Sequence, residues 1–284
     1  MANDVVMCRP TFFNVTRGSK TNRMMDPENP PNIKLAKRQW TALHRSFKRF
    51  GLNVRTMKGQ PYLEDMTFVA NAGLPVRGRF VLSNFLEEER RGEKEFYRQY
   101  FSALCGANKV LSLSDEAIFE GQGDVLSIDR NTLLLGYGVR TNERAVEELI
   151  LLMYHIDPAI KVVPLLFHPA DFYPPDENIF FHLDTCLLHL KKGNRFLVYP
   201  RPFQDEAIET LQGLGAIEEI TKGEAESFIC NSIVAGDAIF APDISSCQAR
   251  DIIIASGYLI FEHNMSEFLK SGGAVKCLSL DMCN

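Results

Sequence analysis

A recurrence constrains this chain more than any other feature. Short strand-like runs come in pairs and alternate with single helices. The order strand, helix, strand, hairpin strand returns at intervals of roughly 50–60 residues, with only slight identity between units, so the repetition is architectural. No linker rich in Pro, Gly or Ser divides the 284 residues. The pattern predicts one α/β domain with mixed sheets over 1–284. Radial repetition would suit it, because that arrangement protects short strand edges.

Leu35, Trp40, Leu43 and Phe47 fall on a roughly helical period, which predicts an amphipathic helix over 34–50 closed by Gly51. Further helices are expected over 144–155 and 204–211, after the charged stretch 87–95 through Tyr100 and Leu104, over 265–270, and in a unit starting at 251–257. Strands are expected at 5–8, 53–57, 65–70, 79–82, 109–113, 117–120, 124–128, 132–137, 161–166, 180–188 and 195–199. Residues 232–235 and 238–241 flank Gly236-Asp237 as a hairpin, and 274–280 is a β-type run. Residues 16–33 are polar and carry prolines, so they form a long loop of the kind that often bears function.

Composition narrows the partners. A formal charge of −5 leaves no basic footprint for nucleic acid, although local arginines could still bind an anionic small molecule. The first eight residues lack a basic region followed by a long apolar run, so no secretory signal is expected. No apolar run approaches the ~20 residues that span a bilayer, so no membrane association is expected. The seven cysteines, at 8, 105, 186, 230, 247, 277 and 283, form no CxxC pair. Reduced thiols and a cytoplasmic location fit best, and a protein exported without a cleaved signal would look the same. A homo-oligomer is compatible with the chain. The six histidines show no HExxH, so no metal is expected. GxG occurs at Gly121 and Gly136 without continuing to GxGxxG, and there is no P-loop, so nucleotide binding has no support.

Four segments could carry chemistry. Ser271-Gly272-Gly273-Ala274-Val275-Lys276-Cys277 puts a cysteine beyond a glycine pair, as either a presented nucleophile or a small buried residue beside a loop. In Phe181-His182-Leu183-Asp184-Thr185, a strand would place His182 and Asp184 on one face, as a pocket wall or as a satisfied buried pair. Phe119-Glu120-Gly121-Gln122-Gly123-Asp124 is either a polar hairpin turn or a pocket floor with Glu120 on it and glycines giving clearance. Asp65 to Gly73 would set Asp65 and Asn71 on one strand face, although an asparagine there is also a turn former. Arg90 and Arg140 would ordinarily be surface residues, yet arginine is the side chain best shaped to hold a carboxylate.

In this order the four segments resemble the guanidine-modifying superfamily, which comprises arginine deiminases, dimethylarginine dimethylaminohydrolases, amidinotransferases and arginine dihydrolases. The resemblance covers nearly the whole chain. It implies a five-bladed α/β propeller with fivefold pseudosymmetry, and a hydrolase that needs neither metal nor organic cofactor. It implies Cys277 as nucleophile, His182 as acid and base, and Glu120 as partner of His182 or of the guanidinium. Asp184, Asn71, Asp65 and Asn22 would bind substrate, with Arg90 and Arg140 on its α-carboxylate. Deiminases of the superfamily carry an aspartate where this chain has Asn71. Asn71 within Val-Ala-Asn-Ala-Gly, and Asn22 in the early loop, are similar to the arginine dihydrolase pattern. That implies conversion of arginine to ornithine, carbon dioxide and two ammonia. A dimethylarginine hydrolase, a one-step deiminase and an amidinotransferase are the enzymatic alternatives. A propeller-like interaction module with a decayed site is the non-enzymatic one.

Overall fold

The computed structural model describes residues 4–172, 174, 180–244 and 248–282. The expected thiols Cys247 and Cys283 lie outside the described residues. The described strands form five three-stranded sheets. The first contains β1 (Asp4–Cys8), joined through helix α1 (Ile33–Phe50) to the parallel strand β2 (Asn53–Met57). The second runs β3 (Gly73–Val76), β4 (Arg79–Leu82), α2 (Glu93–Cys105), β5 (Val110–Ser112). The third runs β6 (Val125–Ser127), β7 (Thr132–Tyr137), α3 (Glu143–Ile156), β8 (Lys161–Leu166). A helical turn α4 (Leu183–Cys186) precedes the fourth, with β9 (Leu187–Leu190), β10 (Arg195–Val198), α5 (Asp205–Leu214) and β11 (Ala216–Glu219). A short helix α6 (Lys222–Glu226) precedes the fifth, with β12 (Ile233–Ala235), β13 (Ala238–Pro242), α7 (Gln248–Ala255) and β14 (Leu259–His263).

Every sheet repeats one rule. The middle strand pairs antiparallel with the strand before it and parallel with the strand that follows the helix. The first sheet obeys this rule only because the chain returns. After helix α8 (Ser266–Leu269), strand β15 (Leu280–Asp281) pairs antiparallel with β1, Val5 opposite Asp281 and Val6 opposite Leu280. The result is a five-bladed, fivefold pseudosymmetric α/β propeller, as the family resemblance implies and as the repeated pattern allows.

Local chemistry fixes the helices. Asn32 caps α1 by accepting from the Leu35 N–H at 3.1 Å, and Gly51, at φ 95°, ends it in the left-handed conformation. Between these caps, Ala36, Trp40, Leu43 and Phe47 bury one face. Asn142 caps α3 in the same way, accepting from Ala145 at 3.0 Å. The core is divided among the junctions of neighbouring blades. Phe47 of α1 meets Phe240 of β13 edge-on at 4.8 Å between two blades, and Phe80 of β4 stacks on Phe101 of α2 within one. Among the described residues no helix is long and apolar enough to cross a membrane.

Four expected strands are something else. Residues 65–70 form two tight 3-10 turns, Glu64–Thr67 and Val69–Ala72. The run 117–120 keeps one isolated bridge, Phe119 to Asn84. In 180–188, His182 instead precedes the helical turn α4, and strand begins only at Leu187. In 274–280 only the last residue reaches a strand. These runs are apolar enough to read as strands, but side chains replace the ladder. The N–H of Leu183 goes to Asp124, and those of Ala274 and Cys277 go to Asn231. The outer strands β11 and β14 were not expected, because their exposed and partly exposed positions carry no run of buried residues.

Candidate active site

The misread segments share a place. Each lies immediately before the first strand of a blade: 64–72 before β3, 120–124 before β6, 182–186 before β9, and 271–279 before β15. Hydrogen bonds tie them together. The Asn71 amide donates to the Glu120 carbonyl at 3.0 Å, His182 contacts both Glu120 and Asp124, and Asp184 faces Cys277. They surround a cleft of about 460 Å3, counting its open mouth. Cys277, His182, Asn71, Asp65, Asn22, Arg90 and Arg140 all line it. Glu120 and Asp184 sit behind this lining, both buried.

His182 is clamped between carboxylates. Its Nδ1 lies 3.0 Å from Asp124 and its Nε2 3.2 Å from Glu120. Burial alone would favour the neutral ring, but Asp124 and Glu120 outweigh it and raise the pKa to about 9. At neutral pH His182 is therefore an imidazolium with both N–H groups bonded. Burial would also raise Glu120, yet Arg140 at 3.0 Å and His182 hold it well below the usual carboxylate range. The expected pairing of His182 with Asp184 on one strand face does not form. Asp124 takes that place, because the helical turn sends Asp184 towards the cysteine.

The Cys277 sulfur lies 3.6 Å from Asp184 Oδ2 and receives the Asn231 amide at 3.1 Å. Burial, then the Asp184 carboxylate, push the thiol well above its ordinary range. Burial also raises Asp184, to about 6, against the pull of His182 and Lys276. Sulfur is thus a protonated donor facing a carboxylate.

Glycines make this approach feasible. A Cβ on Gly123 would collide with the Asn71 amide and press on the His182 ring at 3.2 Å. Gly272 takes φ 68°, and a Cβ there would meet Asn22 at 2.8 Å. Asn22 in turn donates to the Ser271 carbonyl at 2.9 Å and so holds the turn that leads to Cys277.

Residues 11–283 match the sequence model of the family described as N,N dimethylarginine dimethylhydrolase, eukaryotic. The chain belongs to this family. As a dimethylarginine dimethylhydrolase family member it falls within the guanidine-modifying superfamily, among hydrolases of amidino C–N bonds. It is 31% identical over 278 residues to the N(G),N(G)-dimethylarginine dimethylaminohydrolase of Mycobacterium tuberculosis, covering 97% of this chain and 84% of that one. It is 30% identical over 294 residues to the bifunctional arginine dihydrolase/ornithine cyclodeaminase ArgZ of Synechocystis, covering 99% of this chain but only 38% of that one. The N-terminal domain of ArgZ, an arginine dihydrolase from cyanobacteria solved with bound product, superposes with a TM-score of 0.88. It is 27% identical, and the match covers 100% of this chain and 98% of that domain.

In this dimethylarginine dimethylhydrolase family member the cleft suits a planar cation. Asp65 is also buried there, its pKa raised by that burial, with Arg90 and Arg17 opposing. Arg90 and Arg140 are not surface residues. Arg90 bonds to Glu93 through Nε and Nη2, to Asn71 at 3.0 Å and to the Asp65 carbonyl. Arg140 bonds to Thr21 at 2.6 Å and to Glu120, with Phe181 against its guanidinium. Of the five N–H donors an arginine offers, Arg140 keeps more for a ligand. Among the described residues no three His, Cys, Asp or Glu side chains converge as a metal site. Sequence reasoning missed Asp124, Arg17 and Asn231. Asp124 stood in the Glu120 motif and needed only a role. Arg17, which reaches Asp65 at 3.5 Å from the early loop, and Asn231 carry no local signal.

Proposed function

We propose that this chain hydrolyses the guanidinium of arginine twice, yielding ornithine, carbon dioxide and two ammonia, with residues 1–284 acting as one catalytic domain. Asp184 would hold guanidinium N–H groups. A cation docked there takes up the carboxylate that now faces the thiol and adds positive charge beside sulfur, so the Cys277 proton leaves to solvent. The thiolate then attacks the guanidinium carbon. His182 gives its proton to the departing ammonia, and the terminal C–N bond breaks. Neutral His182 next takes a proton from water, whose oxygen joins the carbon as the C–S bond breaks, leaving citrulline. A second round at the ureido carbon releases the second ammonia and a carbamate that decomposes to ornithine and carbon dioxide. Asp65, Asn71 and Asn22 would bind substrate, and Arg140, with Arg90, its α-carboxylate. The described cysteines 8, 105, 186, 230 and 277 are free thiols, which supports a reducing, cytoplasmic setting for the enzyme.

Asn71 carries the choice of a double cut. Its Oδ1 accepts from Arg90 at 3.0 Å, and its Nδ2 lies 3.3 Å from His182 Nε2. The amide is therefore oriented with a neutral donor, not a carboxylate, beside the acid–base residue. A neutral ureido intermediate gives up less binding energy in such a pocket than in one built on a further charge. The assay is direct: incubate with arginine and quantify ornithine, citrulline and ammonia. Two ammonia per ornithine is the expected result, and stoichiometric citrulline rejects the second cut. Asn71→Asp is expected to stall the reaction near citrulline, and unchanged ornithine output from that variant removes Asn71 as the determinant.

The family match and the M. tuberculosis relative favour a second reading, in which dimethylarginine loses dimethylamine to give citrulline. Consumption of dimethylarginine without turnover of arginine selects it.

Both readings share a pH dependence. Asp184 must be ionised and His182 protonated in the free enzyme. The profile of kcat/KM is expected to rise through about 6 and fall through about 9. A fall centred near pH 6.5 instead would mean that the two carboxylates do not hold the imidazolium.

A further inference from the structure

Four of the five segments that precede a blade's first strand carry residues that motifs single out. The fifth, before β12, carries Asn231, two residues ahead of its strand as Asn71 is ahead of β3. Asn231 is buried completely. Its Oδ1 accepts from the backbone N–H of Ala274 at 3.0 Å and of Cys277 at 3.1 Å. Two donors fix which end of the amide is oxygen, so the NH2 end points the other way. That end lies 3.1 Å from Cys277 Sγ and 3.3 Å from the Asp184 carbonyl. The Asn231 carbonyl meanwhile accepts from the Lys276 N–H at 3.1 Å. One residue therefore holds three backbone donors of the cysteine loop and touches its sulfur.

The placement of Asn231 is itself forced. Three residues upstream, the buried Phe228 has φ 59°, a left-handed conformation that bulky side chains rarely adopt, and its carbonyl receives the Asn231 N–H at 2.9 Å. Such backbone strain persists where the surroundings over-determine it, commonly beside functional groups.

We propose that Asn231 is a catalytic residue of the thiol step, fixing the position of the Cys277 sulfur and stabilising its thiolate through the Nδ2–H···S bond. This rests on the reading of Cys277 as nucleophile. A thiolate accepts a much stronger hydrogen bond than a thiol does, so the amide favours the anion over the protonated form. It opposes Asp184, whose carboxylate favours the protonated form. A neutral amide does this without the repulsion that a lysine would impose on a guanidinium.

Asn231→Asp separates the two roles. It keeps an oxygen for both backbone donors and replaces the donor to sulfur with a second acceptor, a change whose loss of donor and added charge both disfavour the thiolate. Alkylation of Cys277 by iodoacetamide, followed by site-resolved mass spectrometry across pH without substrate, reads the thiolate directly. The variant is expected to react about tenfold more slowly near pH 8, with its profile moved upward by about one pH unit. A folded variant that reacts like the wild type overturns the proposal. If the variant does not fold, wild-type protein labelled with 15N-asparagine decides. The Asn231 side-chain amide signal is expected to move when Cys277 is replaced by alanine, and an unmoved signal overturns the proposal. Neither readout needs turnover, so a wild type inert towards every guanidine would reject the proposed function and leave this inference standing or falling on its own.

Discussion

Cys277→Ser is expected to abolish turnover, by about 10⁴-fold or more, while leaving the fold in place. Sulfur matters here because a docked guanidinium would engage Asp184 and leave no neighbour free to act as base for a hydroxyl. Asp184, at 3.6 Å, is the carboxylate beside it, and His182 is already protonated between Asp124 and Glu120. A docked cation can ionise a thiol, whose ordinary pKa is near 8.5, far more easily than an alcohol. The change is small in volume, and an Oγ at this position could still meet the Asn231 amide. Thermal unfolding should thus stay within about 1 kcal/mol of the parent. Product formation from arginine and from dimethylarginine, measured beside an unfolding curve, checks both halves. Full activity in the variant would remove Cys277 as nucleophile.

The second large effect belongs to His182→Asn. Loss of a positioned acid and base costs about 10²–10⁴-fold in kcat. The fold should survive, because both carboxylates keep other partners. Asp124 retains Thr141 at 2.7 Å and the Leu183 N–H, and Glu120 retains Arg140 and the Leu86 N–H at 3.1 Å. The variant also has a signature in stability. The folded pKa of His182, about 9, lies above the unfolded value near 6.5. Its ion pairs therefore contribute fully below about pH 6.5, and that contribution is lost as pH rises through about 9. The swing is on the order of 3 kcal/mol. Wild-type unfolding free energy should fall across that window, and the fall should be absent in His182→Asn. Parallel curves for the two proteins would show that His182 is not charged in the native state.

The sequence was most legible where the chain is regular. The strands 53–57, 79–82, 132–137 and 161–166 begin and end where their residues predict, because short β-branched and apolar runs bounded by turn residues are local properties. The candidate residues were legible as motifs, but their conformations were not. Periodicity placed His182 and Asp184 side by side, whereas the helical turn after His182 sends one towards Asp124 and the other towards sulfur. Nothing local announces that turn, because the acceptor for its first N–H, Asp124, lies 59 residues away. Asn231 escaped for the same reason. Its partners are 43 and 46 residues distant, and an asparagine between Cys230 and Ser232 looks like an ordinary turn former. The burial of Arg90 and Arg140 was not legible, because neither the charged run 87–95 nor the turn 136–142 shows that Glu93 and Glu120 will meet them in the interior.

Strand β15 has one more consequence. It closes the ring against β1, and Cys277 stands three residues ahead of it. As the chain leaves a ribosome, the acids, the histidine and the amides all emerge before the sulfur. In the proposed mechanism, the nucleophile arrives together with the strand that completes the first blade. A nascent or prematurely terminated product would therefore be chemically silent rather than loosely reactive, because the same few residues finish the architecture and arm it.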